Sequence, residues 1–239
     1  MATLFVSDLH LSPERPHVHP QFFDFTGRIA RGADALYVLG DLFEYWVGDD
    51  DLRDPLNTAV ADALRALSAS GVAVRLMHGN RDLLIGHAFA QRCGAELIGD
   101  AVLVDLYGVR TLVMHGDTLC TDDTDYQKFR AYARDSGNQA RFLARPLAER
   151  REEMLELRRR SEESKRVKPA DIMDVSAQTV DQVLRDHGYP RLIHGHTHRP
   201  ARHVHVVDGR ACERWVLNDW YARGGYLRCD AGGCAALPL

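Results

Sequence analysis

The 239-residue sequence has no long apolar run, no basic leader and no strong excess of charge of either sign. Because no stretch of about 18 apolar residues occurs, we expect no transmembrane helix. The first residues lack the basic and apolar segments of an export signal, so we expect no export by that route. The formal net charge is only −4, and the chain has no overall basic field of the kind that marks non-specific nucleic-acid binding. We therefore expect no nucleic-acid partner.

Cysteine is also scarce, and its pattern gives no sign of a disulfide framework. The five cysteines are Cys93, Cys120, Cys212, Cys229 and Cys234. None belongs to a C-x-x-C motif, and an odd number spread over the chain is not typical of structural disulfides. The pattern predicts a reducing compartment such as the cytoplasm. It also predicts that the two C-terminal cysteines are inert thiols.

Short apolar runs recur along the chain, and a polar, glycine-bearing turn follows each of them. They cover residues 3–6, 35–39, 72–77, 111–114 and 191–193. Runs that are apolar on both faces are typical of strands buried on both sides. Between several of these runs, apolar residues recur at helical spacing, for example over 55–70. This alternation of strands and helices predicts an α/β fold. Because ligands gather at the carboxyl ends of such strands, we expect the five turns to meet in space.

Residues 121 to about 175 interrupt this alternation with helix formers and charge. Residues 128–168 carry 13 Lys+Arg against 7 Asp+Glu, a local net charge of +6. A first helix capped by Thr121 or Asp122 would place Tyr126, Phe129 and Ala133 on one apolar stripe. We predict one domain over 1–239 with a helical lid insertion at about 122–170. Such a lid could hold acyl chains and face an anionic membrane surface, although charged helices are more often simply solvated.

Seven side chains that can bind metal lie immediately after the five predicted strands. They are Asp8, His10, Asp41, Asn80, His115, His196 and His198. Seven oxygen and nitrogen donors are too many for one ion and suit two. The absence of a thiolate favours Mn²⁺, Fe²⁺, Co²⁺ or catalytic Zn²⁺ over a structural zinc. In extended backbone, ligands two residues apart point to the same side. Two such cations can activate water for in-line displacement at phosphorus.

The histidines outside this set are not interpreted as metal ligands. His17 and His19, beside prolines in a predicted loop, and His203 and His205, on a predicted edge strand, are interpreted as surface residues. His194 either orients a metal ligand or is simply buried. Alternating runs beyond residue 200, separated by glycine-rich turns, predict antiparallel hairpins that complete a sheet.

Five short blocks carry the seven side chains in a fixed order. They are Asp8-Leu9-His10, Gly40-Asp41, Gly79-Asn80, Met114-His115-Gly116-Asp117 and Gly195-His196-Thr197-His198. In this order they resemble the metal-binding blocks of the calcineurin-like metallophosphoesterases, over essentially the full chain. The resemblance implies a two-sheet α/β/β/α sandwich with a helical insertion cap. It also implies two Mn²⁺ ions per chain, one held by Asp8, His10, Asp41 and His198 and the other by Asp41, Asn80, His115 and His196.

Arg81 distinguishes this chain from most of the superfamily, which carries histidine at this position. A guanidinium cannot act as a general acid, but it can clamp phosphate oxygens in a bidentate way. Together with the sequences around Asp8 and Asp41, Arg81 makes the chain resemble one branch of the superfamily. That branch cleaves the pyrophosphate of UDP-2,3-diacylglucosamine in lipid A biosynthesis. The resemblance implies attack of metal-activated hydroxide on the α phosphorus, with release of UMP and 2,3-diacylglucosamine 1-phosphate (lipid X).

The same resemblance implies residue roles and a location. Catalytic roles fall to Asn80, Arg81 and His196. Substrate contacts fall to Asn80, Arg81, Asp123, Ser161, Lys165, Lys168 and His196. The protein would be a cytoplasmic monomer, peripherally associated with the anionic surface of the inner membrane and acting on a lipid-linked sugar nucleotide.

Two other functions remain compatible with the sequence. A soluble nucleotide or dinucleoside polyphosphate pyrophosphatase could use the same fold, but it would not need an apolar cleft between insertion and core. A non-catalytic adaptor could keep the fold after losing its metals. Such a protein should retain few ligands, whereas all seven positions here carry competent side chains.

Overall fold

Two sheets form the centre of the fold in the computed structural model, which describes residues 2–167 and 172–239. In chain order the strands are β1 (Thr3–Val6), β2 (Ala35–Leu39), β3 (Ala73–Met77), β4 (Glu96–Ile98), β5 (Ala101–Leu106), β6 (Val109–Met114), β7 (Arg191–His194), β8 (Ala201–Val207), β9 (Arg210–Val216), β10 (Gly225–Asp230) and β11 (Gly233–Pro238). The first sheet has six strands in the order β11-β10-β1-β2-β3-β4. The second has five in the order β5-β6-β7-β9-β8.

The described part of the chain contains seven α-helices, four of which pack on the sheets. They are α1 (Val18–Asp24), α2 (Pro55–Ala69), α3 (His87–Cys93), α4 (Thr124–Arg134), α5 (Ser136–Leu143), α6 (Leu147–Val167) and α7 (Ala177–Asp186). Buried side chains of α1, α2 and α3 pack on the first sheet, and those of α7 pack on the second. A third apolar group lies between the sheets. The layers follow the order α/β/β/α, which confirms the predicted fold class.

The central strands are apolar throughout because both of their faces are covered. Every residue of β1 and β2 is buried. Leu36 and Val38 point toward the helices, whereas Phe5 and Tyr37 lie between the sheets with ring centroids 5.0 Å apart. Strands β1 to β4 run parallel, as do β6, β7 and β9. The carboxyl ends of β1, β2, β3, β6 and β7 can therefore carry one shared site.

The crossover from β2 to β3 shows how local sequence sets a helix boundary. Asp54 accepts hydrogen bonds from the backbone N–H groups of Leu56 and Asn57, and Pro55 occupies the first turn. Both features are typical of helix N-termini. The helix ends at Ala69, in agreement with the predicted 55–70 segment.

The C-terminal hairpins differ from the prediction, because they complete two sheets rather than one. Strands β8 and β9 pair in the second sheet, with β8 at its edge and His203 and His205 on that edge strand as predicted. Strands β10 and β11 extend the first sheet beside β1. The prediction that His17 and His19 lie in a loop is wrong in part, since His17 caps α1 and His19 lies inside it.

The prediction of inert thiols at the C-terminus is wrong. Cys229 and Cys234 form a disulfide across the β10–β11 hairpin. The hairpin register places the two residues directly opposite each other, with Cα atoms 4.1 Å apart. A spacing of five residues is not a recognisable motif, and only the register brings the sulfurs together. The other three cysteines are free and buried.

Helices α4 to α6, here called the helical insertion (Thr124–Val167), lie between β6 and β7 in the chain. The N-cap of α4 is Asp123, which accepts from the N–H of Tyr126 at 3.1 Å, and not Thr121 or Asp122 as predicted. Asp117, just after β6, accepts hydrogen bonds from the Tyr126 hydroxyl at 2.9 Å and from Arg130 Nε at 2.7 Å. These bonds attach α4 to a loop of the core. None of the described helices has the length and apolar character needed to cross a bilayer.

The burial of Leu64 in α2 generates a stability prediction. Its side chain is fully buried against the first sheet. Leu64→Ala should lower the free energy of unfolding by about 2–5 kcal/mol, because it removes apolar contacts and leaves a cavity. Urea denaturation measures this change. The matched variant Leu155→Ala, at a position 47% exposed, should change it by less than about 0.5 kcal/mol. Equal effects of the two variants would contradict the packing described above.

Candidate metal centre

The structure brings the seven candidate ligands together where β1, β2, β3, β6 and β7 end. One half of the cluster contains Asp8, His10 and His198. His198 Nε2 lies 3.2 Å from Asp8 Oδ1 and 3.3 Å from His10 Nε2. Ligand atoms of these three residues all lie within 4.8 Å of one another. Residues 190 positions apart in the chain thus form a single polar centre.

The other half contains Asn80, His115 and His196. His115 Nε2 lies 3.2 Å from Asn80 Oδ1 and 3.2 Å from His196 Nδ1. Asp41 stands between the halves, because its Oδ2 is 3.8 Å from both His10 Nε2 and His115 Nε2. The carboxylate of Asp41 is therefore placed where one group could bridge two cations.

The spacing of the donor atoms fits divalent cations. Nitrogen and oxygen ligands lie about 2.0–2.2 Å from such ions, so neighbouring donors around one ion are roughly 3.0–3.4 Å apart. The nearest donor pairs within each half are 3.2 and 3.3 Å apart. Imidazole nitrogens and carboxylate oxygens suit borderline and hard metals. The residues present thus fit a dinuclear site.

Unusual backbone geometry orients most of these side chains. Left-handed φ angles between 51° and 70° occur at Asp8, His10, Asp41, His196 and His198. The expectation that the two-apart pairs point to one side from extended backbone is therefore wrong. Asp and His tolerate this conformation better than most residues, yet each instance costs on the order of 1–3 kcal/mol. Surrounding contacts must hold the turns in place.

Two glycines allow the turns to approach the carboxylates closely. A Cβ atom at Gly79 would lie 2.0 Å from Asp41 Oδ1, and one at Gly195 would lie 2.1 Å from Ser7 Oγ. No side chain can be accommodated at such distances without moving the loops. These positions explain why glycine precedes Asn80 and His196.

Hydrogen bonds fix the two central carboxylates. Asp8 Oδ2 accepts from Ser7 Oγ at 2.6 Å and from the His196 N–H at 2.9 Å. Asp41 Oδ1 accepts from the Arg81 N–H at 2.8 Å. In each carboxylate the other oxygen lies near the ring nitrogens of the cluster. The protein thus presents one oxygen of each group to a cation.

Asp82 supports the site, although the sequence analysis assigns it no role. It is fully buried and accepts from the N–H groups of Gly79 at 2.9 Å and Leu42 at 2.7 Å. These bonds connect the loop after β2 to the loop after β3. Burial and the nearby charge of Asp41 raise the pKa of Asp82. Its position in the Gly79–Asp82 block was the only signal available in the sequence.

Partners on the far side of each ring orient the histidines. His115 Nδ1 donates to the Leu39 carbonyl at 2.8 Å, which leaves the Nε2 lone pair facing the cluster. His194 stands outside the cluster and is buried. Its Nδ1 lies 2.9 Å from the Gly195 carbonyl and its Nε2 lies 3.1 Å from Arg214 Nη1. Neither contact involves the side chain of a candidate ligand, so the second of the two alternatives, a buried histidine, fits His194 better.

The electrostatics of the cluster favour a charged Asp8 and a neutral His196. Burial opposes ionisation of Asp8, but the hydrogen bond and charge of His198 outweigh it and lower the pKa of the carboxyl well below its usual range. Burial and the charge of His115 lower the pKa of His196 to about 4. A neutral imidazole is the form that binds metal.

Glu44 and Tyr221 also contact the cluster, and the sequence analysis does not identify either. Glu44 Oε2 lies 3.1 Å from His10 Nδ1. Burial would raise the pKa of Glu44, but His10 and Arg81 lower it, so the group is a carboxylate. The Tyr221 ring stacks on His10 with centroids 5.0 Å apart and planes at 10°. No local pattern marks these two residues, because only tertiary packing brings them to His10.

A cavity of about 580 Å³ opens over the cluster. Its lining includes five predicted substrate-contact residues, namely Asn80, Arg81, Asp123, Ser161 and His196. Its other walls include apolar residues of the helical insertion, namely Phe129, Phe142, Met154 and Leu157. The remaining predicted contacts lie beyond what can be described: Lys168 falls outside the described residues, as does the side chain of Lys165.

Comparisons with known proteins agree with this geometry. A sequence profile of the calcineurin-like phosphoesterase family matches residues 1–200. A protein of Aromatoleum aromaticum named UDP-2,3-diacylglucosamine hydrolase is 54% identical over 233 residues, which cover 98% of this chain and 95% of that protein. A protein of Cellvibrio japonicus with the same name is 50% identical over 235 residues, covering 98% of each chain.

A solved structure supports the fold. The structure of a dimetal phosphatase from Danio rerio superposes with a TM-score of 0.51 at 13% identity, covering 100% of this chain and 98% of the other. Fold and site together define a metal-dependent phosphoesterase with a dinuclear centre. The chain belongs to the calcineurin-like phosphoesterase family.

The cluster geometry predicts a metal-binding defect in His10→Ala. Titration calorimetry with Mn²⁺ should show two equivalents bound by the unaltered protein. In the variant, one of the two Mn²⁺ ions should bind more than about tenfold more weakly. Even the loss of a group that only hydrogen-bonds to a metal ligand changes metal affinity by about 10–100-fold. His87→Ala changes an exposed histidine of α3 and should bind like the unaltered protein. Two unchanged binding events in His10→Ala would contradict a ligand role for His10.

Proposed function

We propose that this protein hydrolyses the pyrophosphate bond of UDP-2,3-diacylglucosamine in lipid A biosynthesis, releasing UMP and 2,3-diacylglucosamine 1-phosphate (lipid X). The observation that carries the proposal is one cavity that joins a dinuclear metal cluster to an apolar wall of the helical insertion. Such a cavity suits a substrate with a phosphate group at one end and acyl chains at the other. Relatives at 54% and 50% identity are named for hydrolysis of this molecule.

We assign the cations to the two halves of the cluster. Asp8, His10, Asp41 and His198 would hold one, and Asp41, Asn80, His115 and His196 the other. When bound, two divalent cations lower the pKa of a water molecule and neutralise charge on phosphate oxygens. Mn²⁺ suits this set of carboxylate, amide and imidazole donors.

Arg81, Asn80 and His196 bind and orient the phosphate in this proposal. Arg81 is 5% exposed and borders the cavity, so its guanidinium can hold phosphate oxygens in a low-dielectric setting. Attack by water on the α phosphorus forms a P–O bond and breaks the bond to the bridging oxygen, and the proton of the water passes to solvent. The leaving group is a phosphate monoester with a second pKa of about 6, so it departs without a general acid. This explains how an arginine can stand where most of the superfamily carries histidine.

Substrate contacts beyond the phosphate belong to the helical insertion and to the residues that flank it. Asp123 and Ser161 border the cavity, and we assign them, with Lys165 and Lys168, to binding the polar part of the substrate. The insertion at about 122–170 would act as a lid on a single domain spanning 1–239.

A location at the membrane follows from the chemistry of the proposed substrate. Residues 128–168 carry a net charge of +6, with 13 basic and 7 acidic residues. Basic segments bind anionic lipid surfaces through electrostatic attraction. We propose a monomer on the cytoplasmic side of the inner membrane, peripherally bound and without a nucleic-acid partner.

The proposal predicts a strong dependence on the acyl chains. In Mn²⁺, the protein should release UMP from UDP-2,3-diacylglucosamine with a kcat/KM at least about tenfold above that for the deacylated sugar nucleotide, because only the former fills the apolar walls. Chelator should abolish both activities. Equal turnover of the two substrates would instead favour a soluble nucleotide pyrophosphatase, and absence of turnover in a metal-loaded sample would favour an adaptor.

Arg81 provides a second prediction. Arg81→Met should lower kcat/KM by about 10- to 100-fold, since a charged hydrogen bond contributes about 1.5–3 kcal/mol. Steady-state release of UMP measures the effect. Arg159→Met removes an arginine from the solvent-facing side of α6, 59% exposed, and should leave kcat/KM unchanged. An Arg81→Met variant with full activity would exclude a phosphate-binding role.

A further inference from the structure

Four charged side chains form a closed ring between the core and α6. Glu44 and Arg81 come from the loops after β2 and β3, and Arg158 and Glu162 come from α6. Glu44 Oε1 lies 3.0 Å from Arg158 Nε and 3.6 Å from Arg81 Nη1. Glu162 Oε1 lies 3.3 Å from Arg158 Nη2 and 3.5 Å from Arg81 Nη2. Charges of opposite sign alternate around the ring, so every neighbouring pair attracts.

Glu44 is the member of this ring that also reaches the metal centre. Its Oε2 lies 3.1 Å from His10 Nδ1, and neither of these buried atoms has a hydrogen-bond partner in the described part of the chain. Arg15 Nη1 lies 3.5 Å from the same oxygen. One carboxylate therefore faces a candidate metal ligand through one oxygen and the helical insertion through the other.

The backbone holds Glu44 firmly in this position. Its N–H donates to the Leu11 carbonyl at 3.1 Å, and the Leu11 N–H donates to the Leu42 carbonyl at 2.9 Å. These bonds continue the β1–β2 pairing beyond the strands. The side chain is 14% exposed and that of Arg158 is 15% exposed. Opposite charges this shielded from solvent attract each other more strongly than exposed ones, because water and salt screen them less.

The His10 ring has few other restraints. Tyr221 covers one of its faces, and the Nε2 atom points into the metal cluster. With a cation on Nε2, the ring proton must lie on Nδ1, where Glu44 can accept it. Binding of a cation and docking of α6 then both favour the same orientation of Glu44.

We propose that Glu44 is a positioning residue that couples the orientation of His10 in the metal centre to the docking of α6 over the cavity. Only the kinetic consequence of this coupling rests on the metal-dependent hydrolysis proposed above. The binding and exchange measurements below do not require a substrate. Coupling of this kind is reciprocal: whatever stabilises one site stabilises the other.

Metal affinity tests the contact with His10. In Glu44→Ala, titration calorimetry with Mn²⁺ should show that the affinity of one of the two binding events falls about 10–100-fold. This is the range found when a group that hydrogen-bonds to a metal ligand is removed. Glu44→Gln keeps an oxygen acceptor for Nδ1 and should lose less than Glu44→Ala. Arg158→Met should bind within about twofold of the unaltered protein, because Arg81 and Arg15 still hold Glu44. Glu14→Gln is the control, since Glu14 is exposed.

Hydrogen exchange tests the coupling. Mn²⁺ should slow amide exchange in α6 of the unaltered protein severalfold, and this effect should be lost in Glu44→Gln and in Arg158→Met. Arg159→Met, on the exposed side of the same helix, should retain it. With the diacylated substrate, Arg158→Met should raise KM severalfold with little change in kcat.

Two results would overturn the proposal. Unweakened Mn²⁺ binding in a folded Glu44→Ala protein would exclude positioning of His10, and folding is checked by the thermal midpoint and by the near-isosteric Glu44→Gln. Equal Mn²⁺-dependent protection of α6 in the unaltered protein, Glu44→Gln and Arg158→Met would exclude the coupling. If the diacylated substrate is not hydrolysed while both binding and exchange effects appear, the proposed function fails and the coupling stands.

Discussion

The face-to-face packing of two mixed sheets, whose central strands run parallel, is the constraint on which the rest of the structure depends. Asp8, Asp41 and Asn80 follow strands of the first sheet, whereas His115 and His196 follow strands of the second. Their donor atoms approach within a few ångströms only because the apolar layer between the sheets sets the separation and alignment of the strand ends. Side chains far from the chemistry therefore determine its geometry, since a close-packed interior transmits small displacements.

Left-handed backbone at five of the seven candidate ligands adds a local cost that the surrounding contacts must offset. Asp82 supplies much of this support for the turns after β2 and β3 by accepting several backbone N–H groups. Hydrogen bonds from Ser7 and the His196 backbone do the same for Asp8. Together these bonds orient the donor atoms, and preorganisation of this kind is what electrostatic catalysis requires.

Several ion pairs and hydrogen bonds attach the helical insertion to the core, and two of the groups that form them lie beside the candidate metal centre. Asp117 binds α4, and Glu44 binds α6. The apolar wall of the cavity is thereby held over the polar cluster by buried or partly buried charges. The lining of this cavity combines candidate metal ligands and Arg81 with apolar side chains such as Phe129 and Leu157. The charged groups beside the metal centre thus position the insertion, and the insertion in turn shapes the cavity.

By itself, the sequence determined the layered α/β fold, the bounds of β1, β2 and α2 to within a residue, and the seven residues that meet at the strand ends. It could do so because burial on both faces leaves continuous apolar runs, and ligands placed just beyond a strand keep a local signature. Only the tertiary structure decided the left-handed turns, the pairing of Cys229 with Cys234, and the contacts of Glu44 and Tyr221 with His10. These depend on strand register and on how distant segments pack, and neither leaves a periodic trace in the residues themselves.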